Sequence, residues 1–290
     1  MTAKDLQPPC ALVMTAAGTG QPAPVAGLFW ETGTKMLTKP DVLPLLVRMA
    51  EAQAVDEVWK VSAAYYAALG FSRVNYGFTR FLSSRSIGDP DDALFLTTTD
   101  PASAHRYFAG GFYARTPTYK WALAQSGACT WRWVREAMER GALTADEMDV
   151  MRMNAEMRIH AGITISFPVA SSRARGAMGL IADPELTEDD VEHIFATRRD
   201  ELLSVAHMMH LKLMHLPVPH RLRALTQRQR EVLEWVADGK QTQDIALLLS
   251  VSPAMVEKHL RLAREALGVE TTAQAVAKAT LLNMIFHRQA

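Results

Sequence analysis

A set of polar and charged side chains near the C-terminus could contact nucleic acid. The guanidinium of Arg261 can bond the two acceptors of a guanine base at once. Glu257 would oppose binding, because a carboxylate repels phosphate and prefers the amino group of cytosine. The candidate DNA-binding residues are Lys240, Gln241, Thr242, Ser252, Glu257, Lys258, Arg261 and Arg264. On charge alone, the solvated face of a small helical bundle is the simpler explanation of this set.

Four of these residues are candidates for phosphate rather than base contacts, namely Lys240, Gln241, Thr242 and Arg264. The backbone amides at the start of a helix would add to such contacts, because a helix N-terminus leaves its first N–H groups unpaired. Contacts of this kind fix the position of a protein on the duplex, and base contacts supply the specificity.

No pattern in the sequence predicts catalysis or a bound metal. Paired carboxylates and nucleophile motifs are absent from it, so we expect neither an enzyme nor a cofactor. Four histidines lie close together, at His207, His210, His215 and His220, but no Cys or acidic ligand accompanies them. Solvated or capping histidines are therefore favoured. Cys10 and Cys129 have no metal-ligand spacing and are expected to be free thiols.

The C-terminal residues divide into four short helices by their own start and stop signals. The first ends at Gly239 and the second begins at Thr242. Ser252 is a natural N-cap, and Pro253 occupies the first position of the third helix, which ends at Gly268. Its apolar stripe consists of Val256, Leu260, Ala263 and Leu267. A short helix, a tight turn and a second helix with a free polar face predict a helix-turn-helix.

This segment resembles the C-terminal domain of LuxR-type regulators over about sixty residues. The pattern is matched at Leu225, Thr226, Arg228, Glu231, Val232, Leu233, Gly239, Lys240, Ile245, Ala246, Leu249, Ser252, Val256, His259, Leu267, Gly268 and Val269. Gln229, Asp244, Met255 and Ala266 depart from the usual residues. The resemblance implies a DNA-binding domain, and Glu257 on its groove-facing row puts the target sequence in doubt.

Helices and strands alternate irregularly in the N-terminal part. Two helices are predicted from Asp41 onwards. A first pair of strands is predicted in FSRVNYGFTRFL and DALFLTTT, and a second pair in AGITISFPVA and RGAMGLIA. Helices are expected near residues 102–114, 130–140 and 144–159, and a long helix begins at Thr187. Its apolar stripe could pack on its own sheet or on a second copy. The fold class predicted is an α+β domain, an α/β/α sandwich around an antiparallel sheet, followed by a four-helix domain.

Length and composition support two soluble domains. The chain has 290 residues, of which 49% are hydrophobic and 21% charged, as in ordinary globular proteins. No apolar run approaches the roughly 20 residues that span a bilayer, so no membrane partner and a cytoplasmic location are expected. The predicted division is a loosely structured arm at 1–40, a sensing and dimerisation domain at 41–215, a linker at 216–222 containing Pro217 and Pro219, and the DNA-binding domain at 223–290.

The N-terminal part resembles, more weakly, the acyl-homoserine-lactone-binding domain of quorum-sensing regulators. DEVWKVSAAYYAALGFSRVNYGF and HAGITISFPV carry this resemblance. Four of the six signature positions are matched, at Tyr107, Pro117, Trp131 and Gly162. The resemblance implies that Tyr107 bonds an acyl carbonyl and that Trp131 forms a wall of the pocket. A receiver domain is not indicated, because its acidic pair and phosphorylatable Asp are not found.

The other two signature positions depart from the family. Ser103 replaces a Trp that donates to the lactone carbonyl, and Thr116 replaces an Asp that accepts the amide N–H of the ligand. A carboxylate makes about twice as strong a bond as a neutral acceptor. We therefore expect a ligand other than the usual lactone, or none. A shift of register could bring Asp100 into the pocket, and Tyr107 and Trp131 could be plain core aromatics.

The resemblances together imply a dimeric quorum-sensing-type transcription regulator, or an orphan member of that family. Double-stranded DNA, a second copy of the chain and a small signal molecule are the expected partners, with RNA polymerase as a further candidate. Two alternatives stay open. One is a ligand-independent regulator or anti-activator that pairs with another regulator, and the other is an enzyme-like use of the pocket.

Overall fold

A computed structural model of the chain describes residues 13–15, 41–83, 88–89, 92–108, 110–168, 171–217 and 224–286. The predicted arm at 1–40, apart from a three-residue strand, and positions 218–222 of the predicted linker lie outside these residues. The strands described are β1 (Val13–Thr15), β2 (Arg73–Thr79), β3 (Leu94–Thr97), β4 (Gly127–Thr130), β5 (Gly162–Ser166) and β6 (Arg175–Ile181).

The helices of the N-terminal part are α1 (Val42–Glu51), α2 (Val55–Ala67), α3 (Pro101–Phe108), α4 (Pro117–Ala124), α5 (Arg132–Glu139), α6 (Ala145–Glu156) and α7 (Glu188–His215), with a 3₁₀ turn at Phe112–Arg115. The C-terminal helices are α8 (Gln227–Ala237), α9 (Thr242–Leu248), α10 (Pro253–Leu267) and α11 (Thr272–Leu281). None of the helices in the described ranges is long and apolar enough to cross a membrane.

The strands form one sheet in the order β1-β3-β2-β6-β5-β4. β1 pairs in parallel with β3, and every other pairing is antiparallel. The two predicted antiparallel pairs, β2 with β3 and β5 with β6, are confirmed. They join along β2 and β6, where Tyr76 lies opposite Met178 and Gly77 opposite Ala177.

The main hydrophobic core lies between one face of the sheet and helices α1, α2 and α7. Large side chains on that face, among them Tyr76, Ile165 and Leu180, are almost completely buried. Helices α3 to α6 lie against the other face. The predicted α+β sandwich is thus confirmed, and burial of the apolar face of the sheet is the main source of its stability.

The long helix α7 packs across its own sheet. The predicted capping box is present, with Thr187 accepting from the backbone of Asp190 and the Asp190 carboxylate accepting from Thr187. Arg198 has non-helical angles (φ −126°, ψ 18°), so the helix bends there. Beyond the bend, the buried side chains include Leu202, Val205 and Met209.

Three elements differ from the sequence-based expectation. The helix expected at 102–114 is divided, because Gly111 has a φ of 69° and separates α3 from the 3₁₀ turn. The helix expected at 130–140 begins only at Arg132, since the preceding residues form β4. Helix α4 was not predicted, although Thr116 caps it and Pro117 occupies its first position.

The C-terminal helices pack around a core of their own. The predicted stripe of α10, namely Val256, Leu260, Ala263 and Leu267, is buried. Ile245 and Ala246 of α9 are buried against it. The end of this domain touches the N-terminal part, since the Asn283 amide donates to the carbonyls of Met214 and Leu216 at 2.7 and 3.0 Å.

Candidate functional site

A cavity of about 470 Å³ lies between the sheet and helices α3 to α6. That volume falls within the range of small-molecule sites in proteins. Its walls are mainly aromatic and methionine side chains, which include Phe95, Phe108, Tyr113, Tyr119, Met138, Met148, Met151 and Met157. Such a lining binds apolar ligands and leaves a few polar groups to orient them.

The floor of the cavity is made of small residues on the sheet. Gly77, Ala177, Gly179 and Thr164 all line it. A Cβ atom added to Gly179 would meet no other atom within 4 Å, so this position faces open space. Because side chains alternate along a strand, the same strands present large residues to the core and small ones to the cavity.

Tyr107 lines this cavity from α3. Burial raises the pKa of its hydroxyl to about 12, and a hydrogen bond with Thr116 opposes the shift. The phenol therefore stays protonated near neutral pH and can donate to an acceptor. Its ring packs edge-on against Phe108 with ring centroids 5.0 Å apart, which fixes its orientation.

Thr116 also lines the cavity, but its hydroxyl has structural duties. As the N-cap of α4 it accepts from the backbone N–H of Tyr119 at 3.1 Å, and it donates to the carbonyl of Tyr113 at 2.8 Å. The Thr118 hydroxyl donates to the hydroxyl oxygen of Thr116 at 3.3 Å. These bonds leave Thr116 little capacity to accept the N–H of a ligand.

Ser103 lines the cavity from the first turns of α3. Its backbone N–H donates to the Asp100 carboxylate at 3.0 Å, and Asp100 is exposed. The acid therefore serves the start of α3 and is not among the residues that line the cavity. The shifted alignment that would bring Asp100 into the pocket therefore does not agree with the structure.

Trp131 also lines the cavity. Its indole N–H donates to the hydroxyl of Thr164 at 2.8 Å. A Cβ added to Gly162 would lie 2.9 Å from the indole ring and 2.4 Å from the carbonyl of Leu180. Gly162 is therefore required by the close approach of Trp131 to the sheet, which explains why these two residues occur together.

The structure thus brings Ser103, Tyr107, Thr116 and Trp131 together around one cavity. The sheet contributes further lining residues that were not predicted from the sequence, notably Asn75, Thr164, Arg175 and Gly179. The small residues at alternate positions of RGAMGLI were the available signal, because an otherwise buried strand has little reason to carry them on one face.

A second candidate surface lies on α9 and α10. Ser252 accepts from the N–H of Met255 and so caps α10, while Gly268 ends it with a left-handed φ of 63°. Lys240, Gln241, Lys258 and Arg261 are exposed. Glu257, Lys258 and Arg261 place an exposed polar face on α10, as a helix that enters a major groove requires.

Four of the candidate DNA-binding residues bond to another side chain within the domain. The Arg261 guanidinium forms an exposed ion pair with Glu265 at 2.6 Å, which is readily exchanged. Arg264 is half-buried and donates to the hydroxyl of Thr272 at 3.0 Å.

The other two bond to each other across neighbouring helices. Thr242 donates to the Glu257 carboxylate at 2.7 Å and so links α9 to α10. Glu257 therefore has a role in positioning α10 as well as a place on its exposed face.

Comparison with protein families gives two matches in series. Residues 54–213 match the family described as autoinducer binding domain. Residues 223–279 match the family described as bacterial regulatory proteins, luxR family. Together these two matches cover the cavity and the exposed face of α10.

Individual relatives agree with this assignment. The transcriptional activator protein SolR of Ralstonia nicotianae is 31% identical over 240 residues, covering 81% of this chain and 94% of the relative. The transcriptional repressor ThaA of Burkholderia thailandensis is 24% identical over 227 residues, covering 71% of this chain and 95% of that protein.

Among solved structures, SdiA of Escherichia coli matches with a TM-score of 0.44 at 17% identity, covering 85% of this chain and 98% of that one. The family matches and the likeness to SolR are sufficient by themselves to assign the chain to a family. The chain therefore belongs to the LuxR family of bacterial transcription regulators and combines an autoinducer-binding domain with a LuxR-type helix-turn-helix domain.

Proposed function

We propose that this regulator senses a small, largely apolar molecule in the cavity of its N-terminal domain and binds double-stranded DNA as a homodimer through α10. The cavity of about 470 Å³ carries the proposal, because an autoinducer-binding domain without a ligand would gain stability by filling such a space. The proposed division is a domain at 41–215, a linker at 216–222 and a DNA-binding domain at 223–290. Such a protein acts in the cytoplasm, and RNA polymerase is a candidate partner.

Within the cavity, we assign Tyr107 the role of donor to a carbonyl or similar acceptor on the ligand. Trp131 forms one end wall, held by its bond to Thr164. Ser103 is a short donor that leaves more room than an indole would. Thr116 is already bonded to Tyr113 and Tyr119, so a ligand with an amide N–H at this point would lack a strong acceptor.

On the DNA side, we assign base contacts to Arg261 and Lys258 and phosphate contacts to Lys240, Gln241, Thr242 and Arg264. Ser252 positions the N-terminal end of α10 as its cap. Two copies related by a two-fold axis would contact two half-sites.

The experiment begins with native mass spectrometry of the protein as expressed, to find any small molecule that co-purifies. Thermal unfolding with a series of acyl-homoserine lactones then gives the stabilisation by each ligand. Gly179→Val should abolish any stabilisation, because its side chain would occupy open cavity space, and Tyr107→Phe should weaken it. A protein that carries no ligand and gains no stability from any of them would contradict the sensing function.

A second function is favoured by one observation. Glu257 is exposed on the face of α10 that would meet DNA, which weakens the attraction to phosphate. The alternative is a regulator that acts without a ligand, or an anti-activator that dimerises with another LuxR-type protein. Gel shifts with operator DNA distinguish the two, because an anti-activator would not bind DNA by itself but would reduce binding by its partner.

A further inference from the structure

Arg175 is the feature of the cavity that the proposed function leaves unexplained. It is the first residue of β6 and lies on the same face as Ala177, Gly179 and Ile181, and all four line the cavity. Its Nε is buried and has no hydrogen-bond partner among the residues that the structure describes. No described carboxylate lies close enough to form an ion pair with it.

The other arginines of the cavity wall are neutralised. Arg135 pairs with Glu188 at 2.5 Å and with Glu139 at 3.0 Å. Arg152 pairs with Asp149. Arg175 therefore differs from both in having its positive charge uncompensated by the described part of the chain.

An arginine in this state favours an anionic ligand. A guanidinium does not lose its proton, so it cannot escape the cost of burial by becoming neutral. A buried donor without a partner destabilises the folded protein, and a carboxylate can remove this penalty by accepting two parallel N–H bonds.

The rest of the cavity does not oppose a negative charge. Thr116 stands where an acid would have repelled an anion, and Glu188, the carboxylate in the wall, is already paired with Arg135. Ser103 and Tyr107 carry hydroxyl groups that can donate to an acceptor.

The shape of the floor indicates where the remainder of the ligand lies. Arg175 pairs with Thr79 at one end of β6, and Ile181 pairs with Gly162, beside Trp131, at the other. Six residue steps separate these ends, which is about 20 Å along a strand. Between them, Ala177 and Gly179 line the cavity, and the Gly179 position faces open space.

We infer that the cavity binds an amphiphilic carboxylate, with its head group on the Arg175 guanidinium and its hydrocarbon chain along Ala177 and Gly179 towards Trp131. This inference rests on the proposed sensing function and specifies the chemical class of the signal. A long-chain fatty acid is the simplest member of the class.

Isothermal titration of the full-length protein with dodecanoate, dodecanol and dodecanoyl-homoserine lactone tests it. The carboxylate should bind at least tenfold more tightly than the alcohol. Arg175→Gln should remove this preference by weakening the binding of dodecanoate, and Arg175→Lys should restore part of it. Arg173→Gln is the matched control, because Arg173 is exposed and does not line the cavity.

The outcomes separate the inference from the proposed function. Binding of the lactone without the carboxylate, or equal binding of carboxylate and alcohol, would overturn the inference and leave sensing intact. Failure of all three to bind would contradict both. Circular dichroism melting establishes that each variant is folded. If Arg175→Gln does not fold, titration of the wild type at high salt takes its place, and the preference for the carboxylate should then be lost.

Discussion

At the scale of single residues, Thr116 combines a structural role with a place in the cavity wall. Its hydroxyl caps α4 through the N–H of Tyr119, at a position where Asp and Asn are equally good caps. The fold therefore tolerates an acid here. Under the proposed function, a hydroxyl in place of the acid changes which ligands bind while the helix keeps its cap.

Thr116→Asp should increase the affinity for acyl-homoserine lactones about tenfold, because the carboxylate supplies a charge-assisted acceptor for the amide N–H. It should weaken the binding of dodecanoate by charge repulsion. Isothermal titration measures both. Thr116→Asn is the control, since it keeps the cap and adds no charge, and an equal gain with Asn would show that charge is not the cause.

His210 is a buried titratable residue that does not line the cavity. It lies on the core side of the sheet, where its Nδ1 is 2.8 Å from the hydroxyl of Tyr76 and its ring stacks on Phe167 at 4.1 Å between centroids. Burial lowers the pKa of His210 to about 4, and the charges of His207 and Arg80 act in the same direction. The imidazole is therefore neutral in the folded protein at neutral pH.

This burial makes the stability dependent on pH. The unfolded chain protonates His210 near its ordinary pKa of 6.5 and the folded chain only near 4, so the unfolded state binds the extra proton between these values. The free energy of unfolding should be fully maintained above about pH 6.5 and fall by up to about 3 kcal/mol as the pH is lowered to 4.

Urea unfolding at several pH values measures this change. His210→Asn should reduce the slope, whereas substitution of the exposed His193 by Gln should not. A wild-type stability that is constant between pH 6.5 and 4 would exclude the neutral, buried histidine.

At the scale of elements, α10 presents one face to its domain and the other to solvent. The aliphatic face is buried, and the cap residues Ser252 and Gly268 define both ends. Arg261 is exposed near the middle of the free face, and its pairing with Glu265 costs little to break. The helix therefore needs no rearrangement to offer this guanidinium to a base.

Arg261→Ala should lose about 1–3 kcal/mol of discrimination between the operator and unrelated DNA, because a bidentate contact with guanine is removed. Competition gel shifts at constant salt measure the ratio of affinities. Glu265→Ala serves as the control, since it frees Arg261 and should preserve or improve discrimination. If discrimination survives Arg261→Ala, this residue does not contact bases.

The strands and most helices were predictable because their signals are local. Thr187 and Ser252 are caps that a short segment reveals, and alternation identifies β2 and β6. Helix α4 and strand β4 were missed because each is short and carries no clear period. Tyr107 and Trp131 were predicted as cavity residues from the family resemblance. Arg175 and Gly179 were not, because their place in the cavity depends on the register of β6 against its neighbours, which cannot be read from a single sequence.

At the scale of the whole molecule, side chains near the end of α11 join the C-terminal domain to the end of α7 and to the loop after β2. Asn283 donates to the carbonyls of Met214 and Leu216, which belong to the last turn of α7 and the residue after it. Lys278 pairs with Asp92 at 2.7 Å, and both side chains are largely buried. These bonds hold α11 against the sensing domain.

Asn283→Gly should loosen this contact. Glycine retains the left-handed backbone that Asn283 adopts at a φ of 55° but removes the amide, so two hydrogen bonds worth about 2 kcal/mol in total are lost. Small-angle X-ray scattering should show a larger radius of gyration for the variant, and its operator affinity should change if the contact restrains α10. Thr280→Ala is the control, because that hydroxyl donates to the carbonyl of Val276 within its own helix. Identical scattering from Asn283→Gly and the wild type would mean that these bonds do not hold the domains together.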